Sequence, residues 1–168
     1  MASAQIIEVT WLGQQVALRA VRTSVFIQEQ NIPEALEWDG IDPVALHWLA
    51  ISTASVAFAN IMAGAALSDD LHDHAIGTVR LLPNGQIGRL AVLSHRRCEG
   101  IGSMLLCAAS HAAHQHGLEP IWLNAQVDRI KFYQRHGFMI VSEPFIEAGI
   151  PHRRMQLSRS TAQLPRSV

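Results

Sequence analysis

The stretch "IGRLAVLSHRRCEGIGSMLL", from Ile87 to Leu106, decides which fold this chain is expected to adopt. It opens with an apolar run that is typical of a strand, and it then passes a basic pair at Arg96 and Arg97. Two glycines follow, Gly100 and Gly102, and an apolar segment with helical spacing begins at once. The order is therefore a strand, an arginine, a glycine-rich turn and a helix start.

A glycine-rich turn at the start of a helix exposes backbone N–H groups that have no partner within the helix. The helix dipole adds positive potential at the same place, so the turn suits a phosphate or a diphosphate. Gly100 and Gly102 let the backbone approach a bulky anion closely, and Arg97 adds a charged fork. The Walker pattern GxxxxGKS/T and the dinucleotide pattern GxGxxG are absent from the chain.

The chain has 168 residues, which predicts one domain of ordinary size. We expect this domain to span residues 6–159, followed by a polar tail at 160–168, and we leave Ala54–Leu67 unassigned. A net charge of −1 gives no bias toward nucleic acid or an anionic membrane. Two cysteines do not make a disulfide framework, no signal peptide is evident, and no apolar run could span a bilayer. The expected location is the cytoplasm.

Patterns along the rest of the chain predict a mixed α+β fold. Strands are predicted at residues 6–12, 45–52, 75–83, 86–93 and 120–126, with "FMIVSEPF" and "RRMQLSR" closing the series. Helices are predicted at residues 14–29, at 100–116 and after Asp128. The order β-α-β-β-β-α-β-α-β-β gives a central twisted mixed sheet of six to seven strands flanked by helices.

The first predicted helix has a recognisable buried side. Leu18, Val21 and Val25 recur at spacings of three and four residues and form an apolar stripe. Arg22 is placed on the surface of this helix. Further along, the turn residues Pro-Asn-Gly at 83–85 predict a hairpin between the third and fourth strands.

The turn, with its flanking strand and helix, resembles the GNAT acyltransferase superfamily, whose signature is Q/R-x-x-G-x-G/A. Beyond it, "IWLNAQ" supplies the next strand, and "KFYQRHGF" at Lys131–Phe138 resembles the family's FYxxxGF signature. The segments "VFIQEQNIPEALEWDGID", "ALHWL" and "EAGIPHRRM" resemble the ElaA/YjcF-like branch. The resemblance covers residues 6–158. It implies an N-acetyltransferase that moves an acetyl group from acetyl-CoA to a primary amine by direct attack on the thioester.

The resemblance also implies the contacts to acetyl-CoA. The backbone of strand four would pair with the pantetheine, the turn amides would hold the diphosphate, and Asn124 would contact the cofactor arm. The implied set is Leu90, Ala91, Val92, Arg97, Cys98, Glu99, Gly100, Ile101, Gly102, Ser103, Asn124 and Tyr133. Cys98 and Glu99 stand where the family usually has glycine, often followed by a basic residue. Glu99 would therefore weaken diphosphate binding unless its carboxylate points away.

The reaction needs two proton movements. Tyr133 occupies the family's position for the proton donor to the leaving thiolate, and the alternative is an aromatic side chain packed on the core. The attacking amine must lose a proton, and the candidate bases are His47, Glu37, Glu147 and His152. His47 is preferred because it is a polar residue in an apolar strand and an imidazole titrates in the right range. The alternative for His47 is a hydrogen-bonded strand histidine.

The acidic loop before the second strand contains Glu34, Glu37, Asp39 and Asp42. These carboxylates could attract a cationic amine, or they could form a solvated face. Glu34 and Glu37, together with His152, are the predicted acceptor-site residues. The identity of the amine is not specified by the sequence.

Other functions stay open. His72 with His74, and His111 with His114, have ligand-like spacing, but neither pair has an evident partner, so no metal site is expected. Cys98 at a helix start could be a nucleophilic thiol. An acyl-CoA-binding sensor or structural subunit without turnover, and a protein that binds nucleotide phosphates, are the alternatives to an enzyme. A homodimer is also compatible with the sequence.

Overall fold

The computed structural model describes residues 4–54 and 69–158. The chain divides into two compact units, Met1–Ile121 and Trp122–Val168, each with its own four-stranded antiparallel sheet. The α+β class is confirmed, and the strands lie in two sheets where the sequence predicted one. The single-domain boundary at 6–159 stays a prediction. The unassigned stretch after Ala54 and the tail from residue 160 lie outside the described residues.

The first sheet has the strand order β1-β2-β3-β4, and every neighbouring pair is antiparallel. Its strands are β1 (Ala4–Val9), β2 (Leu46–Ser52), β3 (Ala75–Leu81) and β4 (Ile87–Val92). The predicted hairpin between β3 and β4 is confirmed. Gly85 closes its turn with a φ of +81°, and its N–H donates to the Leu82 carbonyl at 3.0 Å.

The helical segments of the first unit are α1 (Trp11–Arg22), a π-helical segment (Thr23–Glu29), α2 (Glu34–Glu37) and α3 (Ile101–Gln115). The prediction that the first strand runs to residue 12 is wrong, because Thr10 caps α1. The Gly13 N–H donates to Thr10 Oγ1 at 3.1 Å, so Trp11 and Leu12 are already helical. The chain then continues as a π-helix, which a helical stripe does not distinguish from an α-helix.

The core of the first unit covers both faces of the sheet. Leu49 and Ile51 of β2 pack with the apolar stripe of α1. Because side chains alternate along a strand, Ala50 lies on the opposite face, where α3 packs. Gly77 permits this packing, since a Cβ there would lie 3.0 Å from Leu105 Cδ1 and 3.4 Å from Ala50 Cβ. The helix that follows the glycine-rich turn is thus fixed directly on β3.

Arg22 contradicts its predicted place on the surface. It follows Leu18 by four residues and therefore lies on the same face of α1, where it is fully buried. Its Nε donates to Glu37 Oε1 at 2.5 Å, and its Nη1 donates to Asp42 Oδ1 at 2.8 Å. Its Nη2 donates to the Glu37 carbonyl at 3.1 Å. One guanidinium therefore connects α1 to two points of the acidic loop, Glu37 and Asp42.

The second unit is built around its longest strand, β8. Its elements are β5 (Trp122–Gln126), α4 (Ile130–Gln134), β6 (Phe138–Ile140), β7 (Phe145–Glu147) and β8 (Ile150–Leu157). Strand β8 pairs with β5 along one edge and with β6 and then β7 along the other. The predicted strand "FMIVSEPF" is therefore two short strands. The buried side chains of this sheet include Leu123, Ala125, Phe138 and Met155.

The buried position of Arg22 yields a stability prediction. Arg22→Ala should lower the free energy of unfolding in urea by about 3–5 kcal/mol, because it leaves two carboxylates buried without their partner. Arg19→Ala is the control on the same helix. Arg19 lies over the Trp38 ring at 4.1 Å, so its loss should cost about 1 kcal/mol or less. Equal losses for the two variants would contradict the role given to Arg22.

Candidate functional site

Strand β4 presents an open backbone edge. It pairs only with β3 among the described strands of the first sheet. The register places Thr78 opposite Ala91 and Arg80 opposite Gly88, so β4 holds one more residue than β3 over this stretch. The extra residue makes a β-bulge, and Arg89 adopts a φ of +52° within it. The segment predicted to pair with pantetheine, residues 90–92, lies directly after this bulge.

The turn after β4 ends in a helix start without a side-chain cap. Gly100 is the N-cap of α3, with a φ of +82°, and no acidic residue lies in the first turn. The amides of Ile101, Gly102 and Ser103 have no acceptor within the helix. Within the described part of the chain, no heavy atom lies within 4 Å of the place where a Gly100 Cβ would be. Unpaired amides beside open space are an arrangement that suits an anion.

Glu99 does not compete for these amides through a free charge. Arg96 Nε lies 3.0 Å from Glu99 Oε1, and Arg96 Nη2 lies 3.0 Å from Glu99 Oε2. This bidentate pair neutralises the carboxylate. The hydrogen bond to Glu99 also raises the pKa of the Arg96 guanidinium. The charge of Glu99 is thus balanced by Arg96, three residues before it, and its effect on diphosphate binding stays a prediction.

Arg97 does not present a free fork to an anion. Its Nη1 and Nη2 each lie 2.7 Å from a carboxylate oxygen of Glu29, and its Nε donates to the Val92 carbonyl at 3.0 Å. The guanidinium therefore connects the end of β4 to the end of the π-helical segment. The backbone of the turn, rather than the Arg97 side chain, is what this arrangement offers to a ligand.

Cys98 occupies a backbone conformation that favours glycine. Its φ is +64°, in the left-handed region, which explains why the family usually has glycine there. Its side chain is exposed, and its thiol is free. Cysteine in place of the family's glycine therefore adds backbone strain at position 98, while the residue keeps the left-handed conformation.

Three of the four carboxylates of the acidic loop form an ion network instead of a solvated face. The network joins Glu37, Asp39 and Asp42 to Arg22, Arg80 and Arg89. Beyond the bonds of Arg22, Arg80 lies 2.7 Å from Asp39 and 3.0 Å from Asp42. Arg89 lies 3.0 Å from Glu37 and 3.1 Å from Asp39. Three carboxylates thus face three guanidiniums, which leaves no excess negative charge to attract an amine.

The pKa values within this network follow from burial and pairing. Burial alone would raise the pKa of Asp39, but hydrogen bonds from Arg80 and from the Ile41 N–H lower it to about 2. Burial raises the pKa of Glu37 against the opposing charges of Arg89 and Arg22. Glu34 stands apart from the network: it is exposed and accepts a hydrogen bond from Trp38 Nε1 at 3.0 Å.

His47 is a buried, hydrogen-bonded strand histidine, which was the alternative to a catalytic base. Its side chain is 1% exposed, its ring lies 5.6 Å from the Trp11 ring, and its Nε2 lies 2.9 Å from the Asp42 carbonyl. A carbonyl only accepts, so Nε2 donates and the bond supports the acidic loop. Burial lowers the pKa of His47. A fully buried imidazole that is bonded to the backbone is a poor base for an incoming amine, and His47 takes no part in the mechanism proposed below.

The second unit brings together three residues that the sequence named separately. Asn124 Nδ2 donates to Glu147 Oε2 at 3.3 Å, and His152 Nε2 lies 3.9 Å from the same oxygen. Asn124 Oδ1 also accepts from Arg154 Nε at 3.4 Å. Two candidate bases, Glu147 and His152, are therefore neighbours in the second sheet.

Tyr133 lies on α4 and is half-buried. Its ring makes edge-on contacts with Phe132 and Phe138, at centroid distances of 5.0 and 6.2 Å. Burial raises the pKa of Tyr133 to about 12, against the opposing charge of Arg129. The phenol therefore keeps its proton at neutral pH, as a proton donor must.

The sequence analysis missed the partners of the residues it selected. Arg80 carried a signal, because a charge in an apolar strand needs a counter-ion. Glu29 carried none, since nothing local connects it to Arg97. Among residues 4–54 and 69–158, no group of three His, Cys, Asp or Glu side chains could hold a metal ion. No helix in those ranges combines the length and apolarity needed to cross a bilayer.

The strained Cys98 gives a second prediction. Cys98→Gly should raise the free energy of unfolding by about 0.5–1 kcal/mol, because glycine adopts a positive φ without the steric cost of a Cβ. Cys98→Ala is the matched control: it removes the same thiol but keeps the Cβ, so it should bring no gain. Chemical denaturation of the three proteins gives the comparison. A gain for alanine equal to that for glycine would show that the thiol, and not φ, sets the effect.

Comparison with known proteins adds to this geometry. Residues 57–159 match the family model of the acetyltransferase (GNAT) domain. The chain is 31% identical to the uncharacterized N-acetyltransferase YjcF of Bacillus subtilis over 137 residues, which are 80% of this chain and 86% of that protein. It is also 31% identical to protein ElaA of Escherichia coli over 144 residues, 84% of this chain and 85% of that protein.

A solved structure supports the same comparison. The crystal structure of an acyl-CoA N-acyltransferase from Pseudomonas aeruginosa is similar to this fold with a TM-score of 0.73 and 30% sequence identity. The match covers 93% of this chain and 100% of that chain. The similarity therefore extends across nearly the whole sequence.

Proposed function

The chain belongs to the GNAT acetyltransferase family, and from that membership we propose that it transfers the acetyl group of acetyl-CoA to a primary amine. Membership makes the chain an acetyltransferase with an acyl-CoA donor. One observation carries the proposal for acetyl-CoA: the uncapped N-terminus of α3 begins after a left-handed Gly100, in the turn that follows the edge strand β4. Its free amides suit a diphosphate, and the open edge of β4 suits the amide groups of pantetheine.

The proposed reaction is a direct attack of the amine on the thioester carbonyl. The nitrogen forms a C–N bond, the C–S bond breaks, and coenzyme A leaves as a thiolate. Tyr133 is the proposed donor of the proton that the sulfur receives, because it stands at the family's donor position and its phenol is protonated at neutral pH. Glu147 and His152 remain as candidate bases. Glu37 is buried within the ion network, and His47 is buried next to it, so neither is open to an incoming amine.

Binding and turnover test this proposal separately. Calorimetric titration should show that acetyl-CoA binds and that ATP does not compete at equal concentration. A thiol-release assay on a panel of primary amines should then show turnover with at least one of them. Binding without turnover on a broad panel would establish the non-catalytic sensor, and tighter binding of ATP would establish the nucleotide-binding alternative.

The turn can be tested with a pair of matched glycines at the two ends of α3. Gly100→Ala should weaken acetyl-CoA binding by about tenfold or more, equivalent to about 1.4 kcal/mol, because the methyl group enters the open space beside the amides. Gly117 also has a positive φ, +64°, and its Cβ position is also open. Both variants should lose about 1–2 kcal/mol of stability through the same strain, but Gly117→Ala should bind acetyl-CoA normally. Equal affinities for the two variants would contradict diphosphate binding at this turn.

The proposed proton donor gives a kinetic prediction. Tyr133→Phe should lower kcat about 10²-fold while the Kd for acetyl-CoA stays unchanged, because the ring packing survives and only the donor is lost. Since the pKa of Tyr133 is about 12, the wild-type pH–rate profile should show no loss from this group at any pH well below that value. A Tyr133→Phe variant with the wild-type kcat would show that Tyr133 only packs against its neighbours and donates no proton.

The setting of the enzyme is also a proposal. Cys98 and Cys107 are both free and exposed, which supports a reducing, cytoplasmic environment. Met139 and Ile146 are exposed apolar residues of the second sheet and offer a surface for a homodimer. Sedimentation of the purified protein would decide the oligomeric state.

A further inference from the structure

The open edge of β4 carries one carbonyl that is already occupied. The Leu93 N–H donates to the Ile76 carbonyl of β3 at 3.0 Å, and Val92 lies opposite Gly77. Because successive peptide groups of a strand point to opposite sides of it in the plane of the sheet, the N–H and the carbonyl of Val92 face away from β3. Arg97 Nε donates to that Val92 carbonyl at 3.0 Å. A ligand that pairs along β4 therefore meets the Val92 N–H, but finds the Val92 carbonyl already bonded.

Glu29 holds the guanidinium that makes this bond. Its two carboxylate oxygens each lie 2.7 Å from a terminal nitrogen of Arg97, and a bidentate pair sets the plane of a guanidinium. Glu29 is the last residue of the π-helical segment, in which Val25 and Phe26 are buried. The Gln30 N–H, directly after it, donates to the Val25 carbonyl at 3.2 Å. The side chain of Arg97 is thus oriented by a segment that is anchored in the core of the first unit.

The ion pair itself contributes little to folding. The Arg97 side chain is 33% exposed and that of Glu29 is 41% exposed, and ion pairs at such positions add little stability. Variants of either residue should therefore fold, which allows their effect on a ligand to be measured. The consequence of the pair lies in the backbone group that Arg97 occupies, since that group belongs to the edge on which a ligand would pair.

The position of pairing on β4 matters for the reaction. In the proposed site the diphosphate lies at the amides after Gly100, so the pantetheine arm extends from Val92 back toward the bulge at Arg89. Peptide groups that face the same side of a strand recur at every second residue, and a shift of the arm by one such step moves its thioester by about 7 Å. A free Val92 carbonyl would offer the arm a second place to bind, and with it a misplaced thioester.

We propose that Arg97 and Glu29 are positioning residues for the acyl donor. Arg97 blocks the Val92 carbonyl, so the pantetheine arm pairs with β4 in one register, and Glu29 keeps Arg97 in place. Neither side chain is a ligand of the diphosphate in this arrangement. The inference rests on the proposed function, since it explains how the proposed acetyl-CoA site aligns its thioester.

A donor without the diphosphate separates this role from phosphate binding. Arg97→Met keeps a long side chain but removes the donor to the carbonyl. With S-acetylpantetheine, kcat should fall about tenfold while KM stays within about twofold, because the freed carbonyl still binds the arm but in a misplaced register. With acetyl-CoA the fall in kcat should be smaller, since the turn amides hold the arm from its other end. A rise in KM for acetyl-CoA alone, or no change with either donor, would overturn the proposal.

Variants of the partner test the role of Glu29. Glu29→Gln should lower kcat with S-acetylpantetheine about threefold, because a neutral amide holds the guanidinium less firmly. Glu8→Gln is the matched control, since Glu8 is an exposed carboxylate on β1, at the other end of the strand order, and it should leave kcat and KM unchanged with both donors.

Exchanging the two charges separates the ion pair from the bond to the carbonyl. The double variant Glu29→Arg with Arg97→Glu can form an ion pair again, but a carboxylate cannot donate to the Val92 carbonyl. Its kcat with S-acetylpantetheine should therefore stay low. Recovery of the wild-type kcat would show that the pair only links two segments, and it would overturn the role given to the carbonyl.

A spectroscopic readout tests the arrangement without turnover. In protein labelled with 13C and 15N, a scalar coupling across the hydrogen bond should connect Arg97 Nε with the carbonyl carbon of Val92. The coupling should persist when acetyl-CoA is added to saturation, while the amide resonance of Val92 shifts. Glu29→Gln should weaken the coupling, and Glu8→Gln should not. Loss of the coupling on binding would show that Arg97 leaves the carbonyl, which would overturn the proposal.

Failure of this inference and failure of the proposed function are distinguishable. A wild-type protein that binds acetyl-CoA and acetylates an amine, with Arg97→Met and Glu29→Gln variants that match it, would overturn the positioning role and leave the activity intact. A wild-type protein that binds acetyl-CoA without turnover would overturn the proposed acetyl transfer, and the coupling would still decide the positioning role. A wild-type protein that does not bind acetyl-CoA would overturn both.

Discussion

The buried guanidinium of Arg22 is the constraint on which the first unit depends. It binds Glu37 and Asp42, and these carboxylates are shared with Arg89 of β4 and Arg80 of β3. A buried charge without its partner is expensive, so helix α1, the acidic loop and the two strands are stable only in one relative arrangement. The bulge in β4 is part of that arrangement, because the guanidinium of its left-handed residue is bound on the loop. The side chain of this bulge residue is therefore held by carboxylates about 50 positions away in the sequence.

The glycine-rich turn is flanked by ion pairs that are partly exposed, unlike the buried pairs of Arg22. Arg96 binds Glu99, and Arg97 binds Glu29, on the exposed side of the same unit. Exposed ion pairs contribute little to stability. These two pairs nevertheless occupy the Glu99 carboxylate and the Arg97 guanidinium with protein partners. What stays available is the row of amides after Gly100. In the proposed acetyl-CoA site, the diphosphate would be bound by these backbone amides, so Cys98 and Glu99 would not have to contribute their side chains.

Local patterns predicted the strands, helix α3 and the turn, because periodicity and glycine position act within a few residues. The partners of those elements were not predictable in the same way. Arg22 binds residues 15 and 20 positions away, and Glu29 lies 68 positions from Arg97. The burial of Arg22, like that of Arg80, did carry a signal: Arg22 follows Leu18 by one helical turn and so shares its buried face. The end of β1 was missed because a Thr10 cap and a strand residue look alike in sequence.

Two histidines show why residue type alone does not reveal which ring nitrogen is accessible. Each donates one ring N–H to a backbone carbonyl, and the bond fixes which nitrogen keeps a lone pair. In His47 the donor is Nε2, and the remaining Nδ1 is buried without a hydrogen-bond partner in the described part of the chain. In His152 the donor is Nδ1, and the remaining Nε2 faces the half-exposed carboxylate of Glu147. The preference for His47 rested on a polar residue in an apolar strand, a pattern that indicates burial. A ligand can contact only a lone pair that it can reach, and in each ring a neighbouring carbonyl sets which nitrogen carries that lone pair.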